Sequence, residues 1–478
     1  MNTLSVMTLE GPPAQLSDDD LSALDQSLRG SLVRPGEPGY DEARAIWNAT
    51  IDRRPDLVAR CAGPADVIAA VRFAKTHGMV LAVRAGGHNI AGKAVADGGL
   101  LIDLSQMRGV RVDPATRRAW VEPGALLGDV DAETQAHGLA VPVGINSTTG
   151  ISGLTLGGGF GWITRKFGMT VDNLLSADVV TADGTMVRAS ETENADLFWG
   201  LRGGGGNFGV VTGFEFQLHE LGPEVLAGLI VHPFDDAKDV LKAWRGFAAE
   251  APREATAWAV LRKAPPLPFL PEEWHGREVV VLAACYAGPV ADGEAALKPL
   301  RAIGKPIAEH LGPVPFRAWQ AAFDPLLTPG ARNYWKSHDF ETISDRTIDL
   351  LIDYAGRLPT EECEIFVANV GGAMADVAQG ATAYGGRAAQ FVLNVHTRWQ
   401  TPAQDAECIA WARDFFDASA GDALPTIYVN FLPDDETEGL AETYGANFER
   451  LAEIKARWDP DNRFRINQNI AAGAMAAE

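Results

Sequence analysis

The sequence predicts an α+β protein of two domains closed by a C-terminal segment. Three observations carry this. At 478 residues the chain exceeds what one ordinary hydrophobic core supports. From about residue 50 to residue 220, short β-prone runs alternate with amphipathic helical ones. Beyond residue 220 the strands look antiparallel and are spaced by longer helices, which reads as a sheet with helices on one face. The expected boundaries are 1–220 (core about 50–220), 221–425 and 426–478.

Each element has a local reason. Ser17 to Ser27 is expected to be helical, because Ser17 can cap and Asp18 to Asp20 favour the positive helix start. Ala65 to His77 is helical because Val67, Ala70, Val71 and Ala74 share a face. Val80 to Arg84, Leu100 to Leu104, Val110 to Asp113 and Ala119 to Glu122 are strands, with turns at Arg108-Gly109 and Asp113-Pro114. Leu126 to His137 is a helix that Gly138 stops. Val179 to Val187 forms a hairpin with Asp183-Gly184 at its turn. In the second domain, Leu226 to His232, Ala257 to Leu261 and Val279 to Tyr286 are strands. Asp235 to Ala248, Asp292 to Ile303, Ser344 to Gly356 and Pro402 to Ala418 are helices, and the proline-rich Ala264 to Pro271 is a loop. A last helix, about Leu440 to Arg457, carries Leu440, Tyr444, Phe448, Leu451 and Ile454 on one stripe.

Composition excludes several function classes. Apolar residues make up 46% and charged residues 22%, as in globular proteins. The formal net charge of −22 argues against nucleic acid, where phosphates require clustered Lys and Arg, and against anionic membrane surfaces. Cys61, Cys285, Cys363 and Cys408 lack CxxC spacing, so neither a zinc site nor a disulfide framework is expected. Buried free thiols fit a reducing compartment. No signal-peptide pattern or run of 18 apolar residues is seen, so a cytoplasmic location is expected.

Two glycine loops point to chemistry. Arg84-Ala85-Gly86-Gly87-His88-Asn89 follows an apolar β-prone run, and Gly150-Ile151-Ser152-Gly153-Leu154-Thr155-Leu156-Gly157-Gly158-Gly159-Phe160-Gly161 follows about sixty residues later. Glycines let backbone N–H groups turn toward an anion with no Cβ in the way. Two such loops suit a long ligand with a diphosphate in its middle, and the histidine in the first suggests more than electrostatics. Arg202 to Val211 is a third such loop. A nicotinamide fingerprint is not supported, because the run at 157–161 is too dense and no acidic residue follows in a βαβ context.

These loops, with Tyr428-Val429-Asn430-Phe431 and the stretch from Asp459 to Gln468, resemble the berberine-bridge-enzyme branch of the vanillyl-alcohol-oxidase flavoproteins. The resemblance implies a two-subdomain PCMH-type FAD-binding domain, an α+β substrate domain, and a closing segment that returns to the FAD domain. It also implies FAD joined covalently to His88. The cofactor would be held by Arg84, Ala85, Gly86, Gly87, His88 and Asn89, and by Asn146, Thr148, Thr149, Gly150, Ser152, Gly153, Gly157, Gly158 and Gly161. Val210, Val211, Tyr428, Asn430 and Asn467 complete the set. Arg84 would pair with a phosphate or simply close a strand.

Two departures bear on chemistry. Asn146 stands where some relatives carry a cysteine linked to the flavin, so one covalent link is expected. Asn394 aligns with the base carboxylate of the berberine bridge enzyme and cannot take a proton. Thr149 falls at the family's oxygen gatekeeper position, where a small residue leaves room for O₂; turn geometry is the alternative reason for a threonine there. Asn394 and His396 share one strand face. Tyr428 is expected to assist deprotonation through a phenol whose pKa neighbouring donors depress, with Asn394 and His396 orienting or polarising the reacting hydroxyl or amine and His396 as the alternative base. The expected activity is an FAD-linked oxidase that takes hydride from a CH–OH or CH–N group of a small organic substrate and reduces O₂ to hydrogen peroxide. An oxygen-insensitive dehydrogenase and a flavin-loaded sequestering protein are the rivals. No metal, nucleic-acid or membrane partner is expected.

Overall fold

The computed structural model describes residues 3–435 and 439–471. The first glycine loop leaves the edge of a four-stranded sheet. Its strands run in the order Ser31–Val33, Leu57–Arg60, Leu100–Asp103, Leu81–Arg84, and the last three are parallel. Helix Pro64–Thr76 covers this sheet with Val67, Ala70, Val71 and Ala74, the face read from the sequence. A five-stranded antiparallel sheet stands beside it, ordered Met186–Ser190, Leu174–Val180, Val210–Gln217, Arg118–Val121, Val110–Asp113. The hairpin turns at Gly184, whose φ of +78° is costly for residues with a Cβ.

Seven antiparallel strands form the third large sheet. Their order is Ala308–Pro315, Glu224–Pro233, Glu278–Tyr286, Ala255–Lys263, Glu364–Asn369, Phe391–Trp399, Arg332–Phe340. Side chains alternate across it. Ala257, Ala259, Leu393 and Val395 pack under helices Ala237–Glu250, Asp345–Ala355 and Asp405–Ser419. Trp258, Ala283, Ala368 and Val392 face the other way, onto Phe160, Trp162 and Tyr428. The helix-covered face is therefore a core, and the opposite face meets the glycine loops.

Some elements differ from expectation. The helix expected over Asp292 to Ile303 is two, Val290–Ala296 and Lys298–Arg301, because Pro299 cannot donate to a continuous ladder. The last helix is broken at Gly445, with φ +52°, into Leu440–Tyr444 and Phe448–Trp458. Strand Ala308–Pro315 escapes sequence reading because Pro313 and Pro315 spoil its pattern, and proline is tolerated there because the strand lies at an edge. The hairpin Thr3–Val6 with Ala14–Ser17 was also not expected.

After the seven-stranded sheet the chain returns to the first. Val429, Leu432, Tyr444, Leu451 and Ile454 join the core of the five-stranded sheet. A buried cation fastens this return. Lys455 Nζ lies 2.7 Å from Asp459 Oδ2 with both side chains 0% exposed, and it donates to the carbonyls of Asn207 and Phe464. Removing one partner of such a pair leaves an uncompensated buried charge, which costs about 3–5 kcal/mol. Lys455→Met should lower stability by that order in guanidinium unfolding followed by circular dichroism. A change below about 1 kcal/mol would show that the ion pair does not hold the segment.

Candidate active site

Where the two glycine loops meet, their backbones touch. A Cβ on Gly86 would collide with the Gly150 nitrogen, and one on Gly150 with the Gly86 nitrogen. This contact brings strand end Arg84 and the start of helix Ile151–Leu156 together as one wall. That wall borders a cleft of about 1930 Å³ of empty space, solvent at its mouths included. The third loop contributes Gly205, Gly206, Gly209, Val210 and Val211, and the closing segment adds Phe464, Ile466, Asn467 and Gln468. Asn207 stitches these last two together through the carbonyls of Gly204 and Gln468 and the N–H of Ile470.

His88 stands in the cleft with its ring stacked on Trp47 at 5.1 Å. Burial pushes its pKa down to about 4, against the effect of Thr148, so the imidazole is neutral at neutral pH. Its tautomer follows from its neighbours. The Thr148 hydroxyl donates to Asn146 Oδ1 at 2.7 Å, which spends its single hydrogen. It therefore accepts from His88 Nε2–H at 3.1 Å. The lone pair is left on Nδ1, 3.4 Å from the Thr149 hydroxyl. Asn146 thus orients His88 through Thr148 and also donates weakly to the Leu327 carbonyl at 3.4 Å.

The opposite wall is aromatic. Trp335 sets its edge against Trp47, His396 and Phe431 at 5.6, 4.7 and 5.4 Å. Tyr428 packs edge-on to Phe160 and Phe431 at 4.7 and 4.8 Å. Its hydroxyl accepts from the Gly159 N–H at 3.1 Å and the Asn430 amide at 3.0 Å. The net shift is opposite to the one expected: burial outweighs the lowering by these two donors and pushes the phenol up to about 12. His396 lines the cleft, with Nδ1 3.2 Å from Glu364 Oε1. Asn394 lies on the same strand face but deeper, 1% exposed and outside the cleft lining, with neither amide atom hydrogen-bonded among the described residues.

Of the residues expected at the cofactor, Ala85, Gly86, Gly87, His88, Asn89, Asn146, Thr149, Gly150, Ser152, Gly153, Gly157, Val210, Val211, Tyr428, Asn430 and Asn467 line this one cleft. Thr148 lies just behind His88. Arg84 points elsewhere: it donates to the Ala43 carbonyl at 2.8 Å and sits 3.6 Å from buried Asp103, the strand-closing alternative. Gly158 and Gly161 also stand behind the lining, where a Cβ would strike Met169 and Tyr384, or the Val143 carbonyl. Sequence reading assigned no role to Trp47, Trp258, Trp335, Phe366, Phe431 or Glu364, all of which line the cleft. Cross-strand register brings most of them in, and no local motif marks it.

Comparison with known proteins agrees with this geometry. Residues 55–190 match the family described as FAD binding domain, and residues 427–471 match that described as berberine and berberine like. The chain is 30% identical over 467 residues to (R)-6-hydroxynicotine oxidase of Paenarthrobacter nicotinovorans, covering 93% of this chain and 97% of the relative. The chain belongs to the berberine-bridge-like FAD-linked oxidoreductases. This FAD-linked oxidoreductase is also 29% identical over 486 residues to xylooligosaccharide oxidase of Thermothelomyces thermophilus, covering 94% of each chain. Its fold matches the crystal structure of 6-hydroxy-D-nicotine oxidase of Arthrobacter nicotinovorans at a TM-score of 0.84 and 28% identity, covering 93% of this chain and 98% of that one.

The oxidoreductase's own residues fit FAD. Cβ atoms at Gly153 and Gly206 would meet nothing within 4 Å, so open space lies beside both backbones in the cleft. Asn467 Oδ1 is buried and has no hydrogen-bond partner among the described residues, as an acceptor for a ligand hydroxyl would be. Bound there, the flavin supplies a two-electron acceptor. Two variants separate packing from cofactor space. Gly86→Ala should destabilise by about 1–3 kcal/mol, because its methyl overpacks the loop contact. Gly153→Ala should match flavin-free wild type in melting temperature and hold less flavin, read as the ratio of flavin to protein absorbance. Equal flavin content in Gly153→Ala and wild type would refute this placement of the cofactor.

Proposed function

We propose that the protein is a mono-covalent FAD oxidase, with the flavin attached through His88 Nδ1 and O₂ as electron acceptor. One observation carries the reading: His88, Tyr428 and His396 face the same cleft, so the nucleophile for attachment and the polar groups of the substrate side share one space. The substrate is a small organic molecule that gives up hydride from a CH–OH or CH–N group. Sugars and cyclic amines are both candidates, in keeping with the names of the two relatives. The grouping of the sheets supports a partition into an FAD domain (1–220), a substrate domain (221–425) and a returning segment (426–478). The four cysteines are free and buried, which supports a cytoplasmic setting. Among the described residues no helix is long and apolar enough to cross a membrane.

His88 acts as nucleophile toward the flavin because it is neutral and its lone pair is on Nδ1, met among the described residues only by the long 3.4 Å hydrogen bond from the Thr149 hydroxyl. Asn146 has no thiol, so a second link cannot form. Acid precipitation should leave the flavin in the pellet, and a flavin-bearing peptide should contain His88. Free FAD in the supernatant would refute the covalent reading. His88→Ala should still bind FAD through the loop backbones but reduce more slowly. Because the pKa of His88 is lowered from the ordinary 6.5 to about 4, attachment should proceed unimpaired from pH 8 to about pH 5 and fail only as the ring protonates.

Thr149 lines the cleft beside His88, and its small side chain supports oxygen access. Photoreduced protein mixed with aerated buffer should reoxidise within seconds and yield hydrogen peroxide. Thr149→Leu should slow this step without changing anaerobic reduction by substrate. Reoxidation over minutes in the wild type would favour the dehydrogenase reading.

A further inference from the structure

Four side chains stand in one row across four neighbouring strands. Arg262 is the direct cross-strand partner of Glu364, Glu364 of His396, and His396 of Trp335. The row is wired as well as aligned. Arg262 donates to Glu364 Oε2 at 2.6 Å, and Glu364 Oε1 lies 3.2 Å from His396 Nδ1. His396 Nε2 is buried without a hydrogen-bond partner among the described residues. The ring borders the cleft, whose lining includes no carboxylate besides Glu364.

We propose that His396 Nε2 is the base of the oxidation and that Glu364, held ionised by Arg262, is its positioning residue. This rests on reading the cleft as the site of an FAD-linked oxidation. A carboxylate at Nδ1 can only accept, so it selects the Nδ1–H tautomer and leaves the lone pair on Nε2, buried and unpartnered in a ring that borders the cleft. Burial raises the Glu364 carboxyl, but Arg262, His396 and Arg398 overcome it and bring the pKa down to about 2, so the anion persists at any working pH. Burial lowers the pKa of His396, and Glu364 partly restores it. The other charges that act on the ring are Arg262 beyond Glu364 and Arg398 two residues along its own strand; both oppose protonation. Trp335, on the remaining side, is uncharged. The ring is thus neutral at rest and has an anion ready for the cation it becomes.

The step balances. The O–H or N–H bond of the substrate breaks, its electron pair stays on the heteroatom, and the proton goes to Nε2. A bound flavin would supply the two-electron acceptor for the hydride that the adjacent C–H gives up as C=O or C=N forms. O₂ would take those two electrons with the hydride's hydrogen as one proton and the proton held on His396 as the other, giving hydrogen peroxide. Tyr428, with its phenol held near pKa 12, donates hydrogen bonds in this scheme and does not take the proton.

The test uses flavin-loaded protein with ¹⁵N-labelled histidine, the His396 signals being those absent from His396→Gln. At pH 7 Nδ1 should be protonated and Nε2 not. In Glu364→Gln the titration midpoint of His396 should fall, because the charge that favours imidazolium is gone. In Glu364→Ala the tautomers should mix. A protonated Nε2 at pH 7, or an unchanged midpoint in Glu364→Gln, overturns the proposal, and this readout needs no turnover. Anaerobic flavin reduction by a panel of cyclic amines and sugars supplies the second arm. His396→Gln should slow reduction ~10²–10⁴-fold, the range for loss of a general base. Glu364→Gln should slow it less and move the acid limb of the pH profile to lower pH, whereas a merely structural role would leave that limb in place. If Tyr428→Phe carries the large loss and His396→Gln a few-fold one, the base assignment is overturned while the oxidase reading stands. If no donor reduces the flavin, the oxidase reading falls, and the tautomer readout alone decides the pair.

Discussion

Gly86 and Gly150 lie backbone against backbone, and the site depends on that approach. Two loops from different sheets cannot share one wall unless both give up their side chains at the crossing. Once they do, His88, two residues beyond Gly86, reaches Thr148 and Thr149, which immediately precede Gly150. The histidine, its orienting hydroxyl and Thr149 are then neighbours by construction. A methyl at either glycine would have to push the loops apart, and every distance that sets the tautomer of His88 would change with it.

The second constraint is register. In the seven-stranded sheet a residue has two neighbours fixed by strand pairing, and a slip of one position would turn its side chain to the opposite face. Arg262, Glu364, His396 and Trp335 stand in line because four strands hold their register together. The helices on the far face keep that register. Leu393 and Val395, between and beside the polar positions, are buried under them. The apolar face of the strand thus aims the polar face at the cleft.

The glycine loops belong to the first part of the chain and the polar row to the second, and the closing segment ties them. Tyr428 and Asn430 reach the Gly159 N–H and the Leu154 carbonyl, while Lys455, Asp459 and Asn207 fasten the segment's far end. Tyr428 is oriented by a loop about 270 residues earlier in the chain. Its burial raises the phenol pKa, whereas neighbouring donors, not identified from the sequence, were expected to bring it down. The Asn430 bond is local to the segment, the Gly159 bond is not, and the desolvation that outweighs both depends on the whole surrounding shell.

Much was legible in the sequence because it is local. Capping at Ser17, the apolar stripe of helix Pro64–Thr76, the Asp183-Gly184 turn and the glycine loops each follow from residues within a few positions of one another. So does the shared face of Asn394 and His396. Other features only the tertiary structure decided. Arg84 closes a strand against Asp103 instead of entering the cleft, because strand pairing places that carboxylate beside it. Glu364, in a strand with no motif around it, is joined to Arg262 and His396 by register between segments about 30 to 100 residues apart. Trp47, stacked on His88, meets Trp335 across a far longer gap in the chain, about 290 residues. Glycine content and hydrophobic period act over a few residues and are written in order along the chain. Which charge faces which ring across a sheet is set by long-range packing, and no stretch of the sequence contains it.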